Sequence, residues 1–428
     1  MERSVTEERG DEEMRDKRRW MILGATTLVI AGLVLAPGQM TRSAWSAAEP
    51  IKLGEVGPLS PPGGYADGQL MKDAAILATD EINAKGGVLG RQVTVSYQDT
   101  RGLPEEGTAA AERLTAQEHV AAIFGEFHSS VFLAEMQVVH KTGTPILAVD
   151  VWANKITEKG YPEVFRLAPC QALIATQYGD WLSAAGFKNV AILYEKTDGG
   201  QSHRDVLLEV LKEHGIKYDV IGADLDQKEF TAQIERLKTH TPPYDFFATA
   251  FSEAGLYALV SQAHNLGFAP TANTGMYNSG GPATTPTFWQ NVGEAGKYLI
   301  TEVPGLPKSG WNDKTRAFVA AFTKRFNSPP TPQAMESYDA EYILVDAIRR
   351  AGSTDPKAII AAMEKTSWVG TRGMTTFATD NNPGWHYHQF VTAPLHLIEY
   401  DKVGQTPDDA PVIWPRNVAT AKTTYIKP

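Results

Sequence analysis

Cysteine is almost absent: Cys170 is the single one in 428 residues. No intrachain disulfide can form, and a cysteine-cluster metal or iron–sulfur site is excluded. Positive charge is also short, with 40 Lys and Arg against 50 Asp and Glu and a net charge of −10. The electrostatic footprint of a general nucleic-acid binder is therefore missing. There is no G-x-S-x-G, no H-E-x-x-H and no P-loop spacing, which removes the usual signatures of serine hydrolases, zinc proteases and phosphate-cradling loops. Neither a short-period repeat nor a low-complexity tract occurs.

What is present is ordinary globular material, 43% hydrophobic and 21% charged. A chain this long exceeds what one core of roughly 250–300 residues holds, so two domains are expected. One long uncharged apolar run, residues 20–36 (WMILGATTLVIAGLVLA), follows Lys17-Arg18-Arg19 and precedes the small residues Ser46-Ala47-Ala48. Basic flank, apolar run and small residues together predict a signal peptide over residues 1–48, cleaved before Glu49. Arg18-Arg19 also permits a twin-arginine route, and Met14 offers a more compact basic start than Met1. The competing reading is a retained membrane anchor, because the run is close to the ~18-residue spanning length. No cysteine follows the run, so no lipid attachment is expected.

From Glu49 onward, apolar strands alternate with amphipathic helices. Strands are expected at 51–57, 93–98, 120–125 and 145–149, with helices at 68–84, 107–119 and 130–141. A second series starts with a helix from Gln171. It continues with strands at 190–194, 218–221 and 245–251, and helices at 204–214, 230–237 and 253–266. Such alternation predicts parallel sheets covered on both faces, hence an α/β fold of two doubly wound lobes. The turn-rich stretch 273–287 and the loop 304–312 read as surface excursions. Helices are expected near 313–326 and 331–351, and a strand pattern from Gly384 through Tyr387, Phe390, Leu395, Leu397 and Tyr400.

Seven segments, in order, carry a resemblance: IKLGEVGPLS, DEINAKGGVLGRQVTVSYQDT, AAIFGEFHSS, ITEKGYPEVFRLAP, KEFTAQIERLK, SQAHNLGF and ESYDAEYILVDAIRRAG. Their sequence and spacing, from Ile51 to Tyr400, are similar to the leucine/isoleucine/valine-binding proteins of bacterial ABC transporters. The resemblance implies a type I periplasmic binding fold: two Rossmann-like lobes joined by a three-strand hinge, closing on a ligand held between them. It places lobe 1 at 49–169 plus about 300–385 and lobe 2 at 170–299 plus about 386–428. It implies a periplasmic, monomeric substrate-binding component with a small-molecule ligand and a membrane permease as partners. Catalysis, cofactor and nucleic acid have no part in it.

Ser129 and Ser130 fall where a strand turns into a helix, and a helix N-terminus offers amide N–H groups to a carboxylate. Capping of the helix by either serine is the plainer reading, and the two are compatible. Other positions depart from the family. Asp150 and Trp152 stand where a small residue and a threonine complete the amino-acid clamp. Its second-lobe tyrosine falls at Phe251 or Ser252, and its ammonium-binding glutamate near Met276. Gly199-Gly200 replaces a loop aromatic, and Arg101 and His128 occupy the disulfide positions. The candidate contact set is Tyr65, His128, Ser129, Ser130, Asp150, Trp152, Phe251, Ser252, Glu253, Met276 and Tyr277. Within it, the serines hold a carboxylate and Trp152 braces the remainder against Phe251 and Tyr277. An amino acid would need Asp150 or Glu253 for its ammonium, since an unpaired buried charge costs several kcal/mol.

Three rivals are weighed against this reading. An extracytoplasmic hydrolase would have to use Cys170, which has no poised histidine. A metal site at His386 and His388, read as one face of an exposed strand, lacks a third ligand. A ligand-sensing ectodomain would need a signalling domain and a retained membrane helix.

Overall fold

The computed structural model describes residues 48–425 apart from Asp226, Glu253, Ala254 and Ala272. The expected signal peptide lies outside the described residues, as does Glu253.

The first lobe alternates strand and helix: β1 Ile51–Gly57, α1 Tyr65–Ala84, β2 Val93–Asp99, α2 Pro104–Glu112, β3 Ala122–Gly125, α3 Ser129–Thr142, β4 Ile146–Ala148, α4 Lys155–Glu158 and β5 Val164–Arg166. Its five strands are all parallel, in the order β2-β1-β3-β4-β5. Adjacent residues on one strand feed opposite faces: Phe124 and Leu147 enter one core, Ile123 and Ile146 the other. With both faces covered, β1 keeps only Lys52 exposed, which is why it reads as a nearly continuous apolar run.

The second lobe repeats the plan with α5 Gln171–Ala184, β6 Asn189–Glu195, α6 Asp198–Glu213, β7 Lys217–Ala223, α7 Thr231–Lys238, β8 Phe246–Ala250, α8 Gly255–Asn265, β9 Gly275–Ser279, α9 Phe288–Val292 and β10 Leu299–Pro304. Here β7-β6-β8-β9-β10 repeats the strand order of the first lobe. The chain then returns to the first lobe as α10 Asp313–Phe326, α11 Pro332–Ala351, α12 Pro356–Met363 and the small hairpin β11 Trp368–Gly370 and β12 Gly373–Thr375. There α11 lies on α1, with Thr79 donating to Glu341 at 2.7 Å and Tyr338 to Glu81 at 2.6 Å. Finally β13 Leu395–Glu399 and β14 Val412–Trp414 add antiparallel strands beyond β10.

The chain thus crosses between lobes three times, after β5, after β10 and before β13. Leu299–Pro304 belongs to the second sheet throughout, beyond the change of lobe expected near residue 300. His388 and Phe390 bond to the backbone of Arg166 beside β5, so the return crossing follows Phe390 rather than residue 386. Buried Arg166 binds these crossings together, donating to Gln389 at 2.5 Å, the Ala153 carbonyl at 2.6 Å and Thr157 at 2.9 Å.

Two expectations fail. The stretch 273–287 is no surface excursion, because β9 is fully buried inside the sheet. His386 and His388 share no strand face. His386 ends a 3-10 turn beside Asp380, whereas His388 is buried, stacked on Phe165 at 3.9 Å and bonded to the Val164 carbonyl.

Gly125 closes β3 with φ 125, and a Cβ there would sit 2.1 Å from the Val56 carbonyl oxygen. Gly125→Ala should cost about 2 kcal/mol or more through backbone strain plus this clash. The midpoint of urea unfolding measures it, and an unchanged midpoint would refute the role given to this turn.

Candidate functional site

In doubly wound sheets the carboxyl ends of the strands open onto a crevice where the strand order reverses. Both lobes have that reversal, and the segments following β2 to β9 enclose one cavity of about 280 Å³. The first lobe contributes Leu103, Phe127, His128, Ser129, Ser130, Asp150 and Trp152. The second contributes Gln171, Glu195 to Thr197, Gly199, Gly200, Leu225, Ser252 and Ser279 to Gly281.

The wall is anchored by buried carboxyl groups. Glu126, with φ 69, accepts the backbone N–H groups of Phe127 and His128 at 3.0 Å each and so shapes the turn that leads into α3. Behind it, burial and the adjacent Glu126 hold the Glu135 carboxyl well above the usual range. Ser129 does not cap its own helix. Its Oγ accepts the N–H groups of Trp152 at 3.2 Å and Ala153 at 3.1 Å, tying the loop after β4 to the start of α3. The first-turn N–H groups of α3 have no intrahelical acceptor.

Asp150 accepts the Trp152 indole N–H at 2.8 Å. Burial, then the Glu336 carboxyl, pushes Asp150 well above the carboxylate range, and the two acids share a hydrogen bond. Glu336 is itself pushed up to about 7 by burial, against the opposing pull of its ion pair with Arg372. Trp152 packs on Ala168 and Ile174 while also lining the cavity.

From the second lobe, Glu195 accepts the N–H and hydroxyl of Ser252 at 3.0 and 2.8 Å. Thr197 caps α6 by accepting from Gly200 at 3.1 Å, so Gly199-Gly200 is the first helical turn rather than a loop. Bonds cross between lobes along this edge: Asp198 N–H to Ser130 Oγ at 3.3 Å, Asn154 N–H to Ser202 Oγ at 3.1 Å, and Lys155 to Asp198 at 3.6 Å. The N-termini of α3 and α6 therefore meet across the cleft.

The chain matches the family described as periplasmic binding proteins over residues 50–394. It belongs to that family. The Leu/Ile/Val-binding protein BraC3 of Rhizobium johnstonii is 28% identical over 351 residues, covering 81% of this chain and 90% of that one. A branched-chain amino acid transporter substrate-binding protein, LivJ of Streptococcus pneumoniae, solved with isoleucine, superposes with TM-score 0.73 at 20% identity, over 86% of this chain and all of its own. A solute-binding protein of R. palustris solved with benzoate gives 0.72 at 20% identity, over 86% and 98%. The two-lobed α/β architecture is that of type I periplasmic binding proteins, a solute-binding and extracytoplasmic family.

In this binding protein, His128, Ser129, Ser130, Asp150, Trp152 and Ser252 come together in the cleft. Four other expected contacts do not. Tyr65 is 51% exposed and does not line the cavity, while Phe251, Met276 and Tyr277 are buried in the cores on the two faces of the second sheet. Trp152 consequently has neither Phe251 nor Tyr277 opposite it. Tyr277 instead stacks on Tyr178 at 3.7 Å and donates to Glu302. Glu302 also accepts from Ser279 at 3.1 Å and Gly280 N–H at 2.9 Å, so it holds the strand end that floors the cleft. Leu103, Glu195 and Leu225 went unrecognised in the sequence. Glu195, the acid closing the apolar run AILYE, could have been found as a strand-end residue.

Burial pushes Glu302 up to about 7. Its folded pKa exceeds the unfolded value of 4.5. The stabilisation from holding that proton is therefore complete below pH 4.5 and is lost as pH rises through 7. Glu302→Gln removes the titration, so the variant should gain on wild type between pH 5 and pH 8 in urea unfolding. A stability difference independent of pH would contradict this assignment.

Proposed function

We propose that the protein is the extracytoplasmic substrate-binding component of an ABC importer, capturing a small carboxylate or amino-acid-like ligand by closure of its two lobes. The observation that carries this is the meeting of the α3 and α6 N-termini across one cavity. The first-turn amides of α3, with Ser129 and Ser130, suit a carboxylate. Phe127, Leu103, Trp152 and Leu225 offer an apolar surround for the rest of the ligand. Benzoate in one structural neighbour and isoleucine in another support both ligand types. The protein delivers its ligand to a membrane permease, works as a monomer and turns no substrate over. Cys170, buried at the start of α5 with its thiol pushed up by burial, is a packing residue in this reading. Residues 1–48 direct export and are removed before Glu49. Terminal sequencing of the exported protein should begin there, and recovery of residues 20–36 in the membrane fraction would refute cleavage.

The carboxyls of Asp150 and Glu195 on the same cavity favour a second reading, an α-amino acid whose ammonium lies between them. Calorimetry with benzoate and with leucine separates the two. Losing a hydrogen bond to a charged group costs about 1.5–3 kcal/mol, so Ser129→Ala should weaken either ligand roughly tenfold to a hundredfold. Asp150→Asn should weaken leucine by a similar factor and leave benzoate nearly unchanged. Indifference of both ligands to Ser129→Ala would overturn the carboxylate assignment.

A further inference from the structure

A second cavity, of about 250 Å³, lies between the lobes and shares no lining residue with the cleft. The first lobe supplies its side at the start of α11, including Pro332 and Met335. The second lobe supplies the ends of β10 and β13 and the loops that carry Trp289 and residues 404–408. An apolar cavity of about 150 Å³ already accommodates benzene, so this one has room for a substituted ring.

The hydrogen-bonding inventory of the wall is largely consumed. The Trp289 indole N–H donates to the Gln405 carbonyl at 2.6 Å, and the Tyr400 hydroxyl to the Ala283 carbonyl at 2.8 Å. The Gln405 side chain is spent on Asp401 and Lys402, and Thr406 on Asp409 at 2.8 Å. Thr284 and Thr285 donate to carbonyls of their own turn. Tyr400 is buried, stacked on Phe288 at 5.5 Å and edge-on to Trp289 at 5.1 Å, so it backs the half-buried Trp289, which is left with ring surface to offer.

Asp408 differs from the rest of the wall. Its carboxyl takes part in no hydrogen bond among the described residues, and burial pushes it up to about 6. The neighbouring cation Lys308 is already committed to Asp409 at 2.7 Å. The group left to be satisfied is thus an anion set among aromatic and proline walls. A positive charge on an apolar body matches both features, through the carboxylate and through attraction to the ring faces.

We propose that this inter-lobe cavity is a second ligand site, for a small aromatic or aliphatic ammonium, with Asp408 as the counter-ion and Trp289 as the ring wall. Because its two sides belong to different lobes, an occupant there contacts both and biases their closure. The test uses benzylammonium as probe, in calorimetry on the whole mature protein and in soaked crystals. Saturable one-to-one binding is expected, with the ring in this cavity. Benzyl alcohol, its neutral counterpart, should bind at least tenfold more weakly, and Asp408→Asn should weaken benzylammonium by about tenfold or more. Trp289→Leu should weaken it as well, providing a second variant that leaves the carboxyl in place. Absence of binding, equal affinity for benzyl alcohol, full affinity in Asp408→Asn, or density confined to the main cleft would each overturn the proposal.

Discussion

Burial of both faces of two largely parallel sheets is the constraint on which everything else depends. Helices cover the inner strands of each sheet on both faces, so side chains in the middle of those strands are withheld from a ligand. Met276 and Tyr277 make the point: neighbours on β9, they point into opposite cores of the second lobe. Recognition is left to the strand ends. There the chain turns sharply, with Gly125 at φ 125 and Gly280 at φ 137, each so close to a neighbouring carbonyl that a Cβ would sit 2.1 Å from it. Gly125 turns β3 into α3 and Gly280 ends β9, while α6 reaches the same cavity from the end of β6.

These ends are held by buried acids rather than by apolar packing. Glu126 fixes the approach to α3, Glu302 fixes Ser279 and Gly280, and Glu195 fixes Ser252. A carboxyl that accepts backbone N–H groups satisfies donors which a turn leaves unpaired. Removing water from such a group is costly, and Glu302 responds by retaining its proton, pushed up to about 7; beside Glu126, the buried Glu135 is likewise held well above the usual range. Geometry at the cleft is therefore bought with unfavourable solvation, which the surrounding hydrogen bonds offset.

The sequence made the strands legible where burial is continuous and misled where buried groups are polar. Residues 51–57 announce a strand because six of seven are buried. Residues 275–279, GMYNS, are buried as completely, yet their polar composition reads as a turn. Asn278 resolves the conflict by accepting from the Thr249 hydroxyl and the Phe251 N–H, so neighbouring strands replace water. Composition carries no trace of such partners. A similar limit applies at α6, where two glycines lower helix propensity and the start of the helix was expected six residues late. The Thr197 cap and the inter-lobe bonds at Asp198 and Ser202 hold that turn in place. At the cleft, Ser129 and Ser130 were legible because they follow a strand end, and Asp150 and Trp152 because the family resemblance places them there. Phe251, Met276 and Tyr277 were misplaced because a family position was carried onto side chains that the pleat directs inward.

Asp150 joins the cleft to the crossings between lobes. Its partner Glu336 pairs with Arg372, and Arg372 also donates to the Leu167 carbonyl at 3.0 Å, on the segment leaving β5. A shared proton makes the charge at Asp150 variable without moving an atom of this chain. Beside a carboxylate, a protonated Asp150 adds no repulsion. Beside an ammonium, loss of that proton creates the counter-charge where it is needed, at a cost set by the same burial that raised the pKa. Glu336 and Arg372 connect this group to Leu167 at the first crossing. The pair thus ties the cleft to the segment that leads out of the first lobe.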